Sequence, residues 1–266
     1  MAEIVVPMED LADPMDIPFV FKATNIDDVS VWVRSDLSGP PAGWAGAAED
    51  HGELAVGADD YFVNDNYTRT KPAHLTAENV TLRVRYYSDA GYITLLRTET
   101  EVFAFDYVDF NDAGLTIVDD DTFEVDVEGW VLTNEVNVST LSRSTAQARS
   151  GVASLKLYCT ASGTVVYASK AFTIGAVTHA FIRVWVWFIS SAKGIFELWT
   201  DAGGGSERIA YLPTSSAPKG GAEFNAQWIT LALRLPVNGT YTVRLRYKHQ
   251  DGGITIYWDD IRVVQV

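Results

Sequence analysis

Apolar and polar residues alternate with a period of two along much of this chain, the spacing of strands with one face on a core and the other outside. Val29-Ser30-Val31-Trp32-Val33-Arg34 shows it clearly, after a first apolar stretch at Ile17-Pro18-Phe19-Val20-Phe21. Asp60-Tyr61-Phe62-Val63, Val80-Thr81-Leu82-Arg83-Val84 and Tyr92-Ile93-Thr94-Leu95-Leu96-Arg97-Thr98 follow, each short and bounded by turn residues. From Ser38 to Gly57 the sequence is rich in Gly, Pro and Ala without a clear period, which predicts a long loop. Residues 1–16 carry Glu3, Glu9, Asp10, Asp13 and Asp16 together with Pro7 and Pro14, and predict an extended acidic arm. Leu155 to Tyr158, Phe181 to Phe188, Gly194 to Thr200, Trp228 to Leu235, Tyr241 to Lys248 and Ile254 to Val263 read as further strands, with no amphipathic helix between them. The pattern predicts an all-β protein of two β-sandwich domains, the second a jelly roll. The expected division is an arm over 1–16, a sandwich over 17–118 and the jelly roll over 119–266, with the run Asp119-Asp120-Asp121 at the boundary.

Composition sharpens this picture. The chain is 47% hydrophobic and 12% aromatic, ample for packed cores, and Val, Ile and Thr recur throughout. The single cysteine, Cys159, rules out an intramolecular disulfide and a cysteine-based zinc cluster, and its place in Leu155-Lys156-Leu157-Tyr158-Cys159 predicts a buried strand thiol. Met1-Ala2-Glu3 has no basic or apolar leader, and no apolar run reaches the roughly 20 residues that span a bilayer, so a product made in a cytoplasm and not inserted in a membrane is expected. Charge is segregated. Residues 1–118 hold 21 Asp and Glu against 7 Lys and Arg, a net of −14, whereas residues 119–266 hold 14 against 13, a net of −1. A surface of the first kind repels nucleic acid and anionic membranes, so neither is an expected partner.

Signals for catalysis are missing. His51, His74, His179 and His249 are scattered without metal spacing or a neighbouring nucleophile, and no Gly-x-Ser-x-Gly, Walker or His-Glu-x-x-His motif occurs. Gly203-Gly204-Gly205 lies between strands and opens no helix, so it reads as a turn. The expectation is a protein that is not an enzyme.

The first half has a recognisable order of short segments: Ile17 to Phe19, the strand Val29 to Val33, Leu54 with Asp60-Tyr61, Gly91 to Thr98, and Asp106 to Asp112. In that order and spacing, over about 100 residues, it resembles the N-terminal tail-attachment domain of tail fibres from short-tailed bacteriophages. The loop from Ser38 to Gly57 is longer than that family needs. The resemblance implies a trimeric fibre base that clips to other virion tail proteins. Arg97, in an apolar strand with Asp106 and Asp109 following, also suggests a strand arginine paired with a carboxylate, or a solvated arginine on an edge strand.

The second half carries Phe123-Glu124, Gly129-Trp130, Ser150-Gly151-Val152-Ala153-Ser154-Leu155 and Tyr257-Trp258-Asp259-Asp260-Ile261. From about Asp119 to Val266 it resembles the jelly-roll carbohydrate-binding modules of galactose-binding-like fold. That resemblance implies first and last strands side by side with a structural calcium between them, drawing on Asp121 or Glu124 and on Asp259 or Asp260; calcium takes six to eight oxygen ligands. The same acids also suit exposed strand ends or polar caps. Sugar binding in such modules relies on aromatic faces stacked on a pyranose and flanked by polar groups. Alternation puts Arg183, Trp185 and Trp187 on one face of their strand, opposite Ile182, Val184, Val186 and Phe188, and puts Glu197 and Trp199 opposite Phe196 and Leu198. If the two strands pair, Arg183, Trp185, Trp187, Glu197 and Trp199 form one glycan-binding patch. Such tryptophans also serve core packing, or a subunit interface in a trimer.

These readings combine into a virion structural protein of the phage tail: a short tail fibre or adaptor that docks through its first domain and presents the second for host-surface glycan or for assembly. The other classes in view are a capsid decoration protein and a free-standing carbohydrate-binding module protein.

Overall fold

The computed structural model describes residues 2–9, 11–64, 66–134, 139–159, 165–189, 194–201, 207–213, 228–249 and 254–266, and every regular element among them is a strand. Met1–Val108 belongs to one compact unit, and Asp109–Ser215 with Gly221–Val266 forms another, so the chain divides after Val108 rather than near residue 118.

The first unit holds β1 (Ala2–Pro7), β2 (Met15–Asp16), β3 (Phe19–Thr24), β4 (Val31–Leu37), β5 (Trp44–Gly46), β6 (Glu49–Leu54), β7 (Asp59–Asn64), β8 (Tyr67–Arg69), β9 (Ala77–Tyr87) and β10 (Leu95–Val108). A five-stranded sheet ordered β1-β10-β9-β4-β6 shares a core with the small sheets β2-β8-β5 and β3-β7. Phe19 sits at its centre, fully buried, with ring centroids 5.1 Å from Phe103, 5.3 Å from Phe105 and 5.5 Å from Tyr67, in the edge-on geometry that aromatic rings prefer.

Two segments depart from the sequence reading. The acidic arm expected over 1–16 is part of the sandwich: β1 pairs in parallel with β10, from Ala2↔Phe103 to Pro7↔Val108, and Val5, Val6, Met8 and Met15 are buried. Its apolar run is only Ile4-Val5-Val6, too short to stand out beside the acids. The loop expected from Ser38 to Gly57 contains β5 and β6, and β6 pairs with β4. Its inward positions include Glu49 and His51, polar residues that hide the period. They are held by a buried network in which His51 Nε2 lies 2.8 Å from Ser35 Oγ, Asn64 Nδ2 donates to Ser35 Oγ at 2.6 Å, and Asn66 Nδ2 donates to Glu49 Oε2 at 3.1 Å. Burial pushes the Tyr67 hydroxyl beside this network up to about 12.

A second polar centre ties β5, β8, β9 and β10 together. Glu78 accepts hydrogen bonds from Arg69 Nε (2.9 Å), Arg69 Nη2 (3.2 Å), Trp44 Nε1 (2.9 Å) and the Tyr107 hydroxyl (2.6 Å). Burial opposes its charge, yet the donors from Arg69, Tyr107 and Trp44 outweigh it and hold Glu78 below the usual carboxylate range. Arg97 does pair with carboxylates, but these are Asp27 (2.9 Å) and Glu99 rather than Asp106 or Asp109, and its guanidinium lies 3.4 Å from the Tyr86 ring centroid.

The second unit holds β11 (Thr116–Asp121), β12 (Val131–Asn134), β13 (Ser139–Ser144), β14 (Ser154–Cys159), β15 (Val165–Ile174), β16 (Ala180–Ile189), β17 (Gly194–Asp201), β18 (Glu207–Pro213), β19 (Trp228–Leu235), β20 (Gly239–His249) and β21 (Ile254–Gln265). Sheet I runs β13-β14-β21-β16-β19, with β11 added to β21, and sheet II runs β12-β15-β20-β17-β18. All pairs are antiparallel, and one core lies between the sheets, with Leu155, Ile182, Val184, Val186, Ile256 and Trp258 from sheet I meeting Ala168, Leu198, Val243, Leu245 and Tyr247 from sheet II. This is a jelly-roll sandwich, with first and last strands paired at Asp121↔Ile261. The side chains of Cys159, Phe188 and Phe196 lie outside the described residues.

Candidate functional site

The four carboxylates considered for calcium are engaged one by one. Asp121 takes the Lys170 ammonium at 2.6 and 2.8 Å and the Trp130 indole N–H at 2.8 Å. Glu124 accepts the backbone N–H groups of Val152 (2.9 Å) and Ala153 (3.3 Å). Asp259 accepts those of Arg149 (2.7 Å), Ser150 (3.3 Å) and Asp260 (2.9 Å), and Asp260 accepts the Ser150 hydroxyl. No group of three or more metal-ligating residues occurs among the described residues. A lysine ammonium, an indole N–H, backbone N–H groups and a serine hydroxyl thus meet these carboxylates in the structure. Their work is to join the ends of the sandwich: Glu124 and Asp259 clamp the turn at 149–153 from two sides.

Burial makes one of these clamps pH-sensitive. It pushes the Asp259 carboxyl up to about 7, ahead of the backbone donors that favour the charged form. An acid raised above its unfolded value stabilises the fold fully below the unfolded pKa and loses that contribution as pH rises through the folded one. The second unit is therefore expected to be more stable near pH 5 than near pH 8, by about 1–2 kcal/mol from this group. Thermal unfolding at the two pH values checks this, and Asp259→Asn should reduce the difference without abolishing it, because burial raises Asp121 of the same unit to about 7 as well.

The five residues expected to form one aromatic patch are divided between two sheets. Alternation assigned their faces correctly, since Ile182, Val184, Val186 and Leu198 all enter the core. The pairing does not hold: β16 lies between β19 and β21 in sheet I, and β17 lies between β18 and β20 in sheet II. Arg183, Trp185 and Trp187 consequently sit on the outside of sheet I, and Glu197 and Trp199 on the outside of sheet II.

On sheet I, direct register lines up Lys156, Tyr257, Trp187 and Trp228 across four neighbouring strands, with Trp187 and Tyr257 edge-on at 5.5 Å. The guanidinium of Arg149 covers Trp185 at 4.5 Å, and that of Arg183 covers Phe110 at 5.5 Å. Each arginine is thus paired with a ring on this face, although Arg183 Nε is buried without an acceptor.

Sheet II is different. Register places Tyr167 beside Arg246 and Arg246 beside Glu197 in one row, and Trp199 beside Arg244 in the next. Arg246 Nη1 approaches Glu197 Oε2 at 3.3 Å. The Arg244 guanidinium lies between two rings, 4.1 Å from the Trp199 centroid and 4.8 Å from that of Tyr167, and Arg246 is 5.8 Å from Trp199. Trp199 and Glu197 are each only 4% exposed. Even so, Trp199 Nε1, Arg244 Nε and Arg246 Nε are buried without an acceptor. Buried donors in folded proteins almost always find a partner, and three unmet ones around a single ion pair are unusual. The arrangement offers N–H donors, a carboxylate acceptor and aromatic faces in one place, the complement of a polyhydroxylated ring.

Tyr167, Arg244 and Arg246 were not among the sequence candidates. Their signal was present in Thr242-Val243-Arg244-Leu245-Arg246-Tyr247, where two arginines occupy successive outward positions of an otherwise apolar strand. What the sequence does not display is that β20 is the central strand of sheet II, flanked by Tyr167 on one side and Trp199 on the other.

No family model matches the chain, and no curated protein matches it. Among solved structures it is similar to the CBM22-1 xylan-binding domain of Paenibacillus barcinonensis Xyn10C, at 15% identity over 57% of this chain and 95% of that one, with a TM-score of 0.41. It is also similar to a carbohydrate-binding module of the β-sandwich superfamily described for promiscuous specificity, at 14% identity over 96% of this chain and 93% of that one (TM-score 0.41). A third is TmCBM61 in complex with β-1,4-galactotriose, at 12% identity over 55% of this chain and 91% of that one (TM-score 0.40). These three structural neighbours are carbohydrate-binding modules, at a level of overlap that leaves the assignment of any site to the residues above.

Proposed function

We propose that this protein binds glycan on the outer face of sheet II, through Trp199, Arg244, Arg246, Glu197 and Tyr167, and that the first unit fixes this module to a virion tail as a short tail fibre or adaptor. The observation that carries the glycan reading is the set of buried, unmet donors on Trp199, Arg244 and Arg246 around the Glu197 carboxylate. Sugar hydroxyls accept from such donors and donate to such a carboxylate. The tail reading is supported by the order of segments from Ile17 to Asp112, which resembles tail-attachment domains, and by the acidity of that half of the chain.

A glycan array with the intact protein tests the first part. Trp199→Ala is expected to weaken binding at least tenfold, and Trp185→Ala, on the other sheet, to leave it nearly unchanged. The opposite result would move the site to the aromatic row of sheet I, and no binding to any glycan would end the reading. Light scattering tests the second part: a stable trimer near three times 29.2 kDa agrees with a fibre base. A monomer would favour a free-standing carbohydrate-binding module protein instead.

A further inference from the structure

We infer that the glycan taken by sheet II carries a carboxylate, as uronic and sialic acids do, and that Arg244 is the residue that reads it. This rests on the reading of sheet II as the glycan face and goes one step further, to the class of sugar.

The argument starts from charge. The described outward positions around the site contribute two guanidinium groups, Arg244 and Arg246, and one buried carboxylate, Glu197. Arg246 has Glu197 at 3.3 Å. Arg244 makes no ion pair with a described residue; its contacts are the faces of Trp199 and Tyr167. Asp201, the next outward residue on β17 after Trp199, is exposed. Among the described residues Arg244 therefore carries its charge without an ion-pair partner, in a chain whose net charge is −15.

Geometry says how that charge would be used. A guanidinium stacks through its faces, while its five N–H donors point outward in its own plane. The rings of Trp199 and Tyr167 flank the Arg244 guanidinium at 4.1 and 4.8 Å, and stacking of this kind would present its edge to a ligand. A carboxylate meets such an edge with two parallel hydrogen bonds, which a neutral hydroxyl cannot do. Arg244 Nε has no acceptor of its own in the structure. Sheet I supplies the contrast: Arg262 there is matched by Asp120 at 2.7 Å and by Asn111 at 2.7 Å, so its donors are already used.

The test uses matched ligands on the intact protein, so that no variant is needed for the main result. Trigalacturonic acid and sialyllactose are each compared with their methyl esters by titration calorimetry; esterification removes the charge and leaves the ring in place. Binding of at least one acid, weakened tenfold or more by esterification, is the expected result. Arg244→Gln should bring acid and ester to equal affinity, with thermal unfolding confirming that the variant is folded. Equal binding of acid and ester by the natural protein would overturn the inference while leaving the glycan face intact. So would a neutral glycan that binds when neither acid does. Binding of no carbohydrate at all would overturn both.

Discussion

Glu78→Ala is expected to destabilise the first unit by about 3–5 kcal/mol, the cost of breaking a buried ion pair by removing one partner. The side chains of Arg69 and Glu78 are 12% and 11% exposed, so the guanidinium left behind cannot recover its hydration. Trp44 Nε1 and the Tyr107 hydroxyl lose their acceptor in the same step, each at a cost of about 1 kcal/mol or more. Urea unfolding of the first unit, read by loss of near-ultraviolet signal from its aromatic core, measures the effect. The double variant Arg69→Met with Glu78→Leu separates charge from packing: it should recover much of the loss, because apolar replacements of similar volume leave no unpaired ion. A loss below about 1 kcal/mol in Glu78→Ala would mean that water reaches these donors and that the network is a surface feature.

That network also shows why parts of the first unit were hidden in the sequence. Period-two reasoning finds a strand when its inward residues are apolar, as in β4, where Val31 and Val33 point into the core. It passes over β6, whose inward Glu49 and His51 are polar and bonded to residues distant in sequence, Ser35 and Asn66 among them. It passes over β1 for a different reason. A six-residue strand paired in parallel to β10 owes its stability to Phe103, Phe105 and Tyr107, and nothing local to residues 2–7 announces them.

In the second unit the faces of strands were legible and their neighbours were not. The chain crosses repeatedly between sheets: β14, β16, β19 and β21 belong to sheet I, while β15, β17 and β20, which intervene, belong to sheet II. Strands consecutive in sequence are thus commonly on opposite sheets, and joining Trp185 and Trp187 to Trp199 assumed a hairpin where a jelly roll has a crossover. The correct partner of Trp199 is Arg244, 45 residues away in number but directly opposite in register. Glu197 and Trp199 were found because alternation alone places them outward; Arg244 and Arg246 needed the topology.

Trp258 provides the second large effect. It sits in β21 opposite Leu155 of β14 and Val186 of β16, is fully buried, and belongs to the core cluster between the sheets. Trp258→Ala removes an indole from a site framed by strands on both sides, which cannot collapse inward, and should cost about 3–5 kcal/mol. In a unit of this size that corresponds to a fall in midpoint of roughly 10 °C, at about 2–4 °C per kcal/mol. Trp185→Ala is the matched comparison, an indole on a paired strand but on the outside of sheet I, partly exposed and covered by Arg149. Its loss should cost no more than about 1 kcal/mol, the scale of a cation–π contact and some exposed area. Differential scanning calorimetry of the two variants reads both numbers. A wide gap between them means that the tryptophans of this unit divide into core and outer-face sets as the register assigns. Equal, large losses would mean that the outer aromatic residues of sheet I are part of the packed structure, and would remove that face as an alternative place for a ligand.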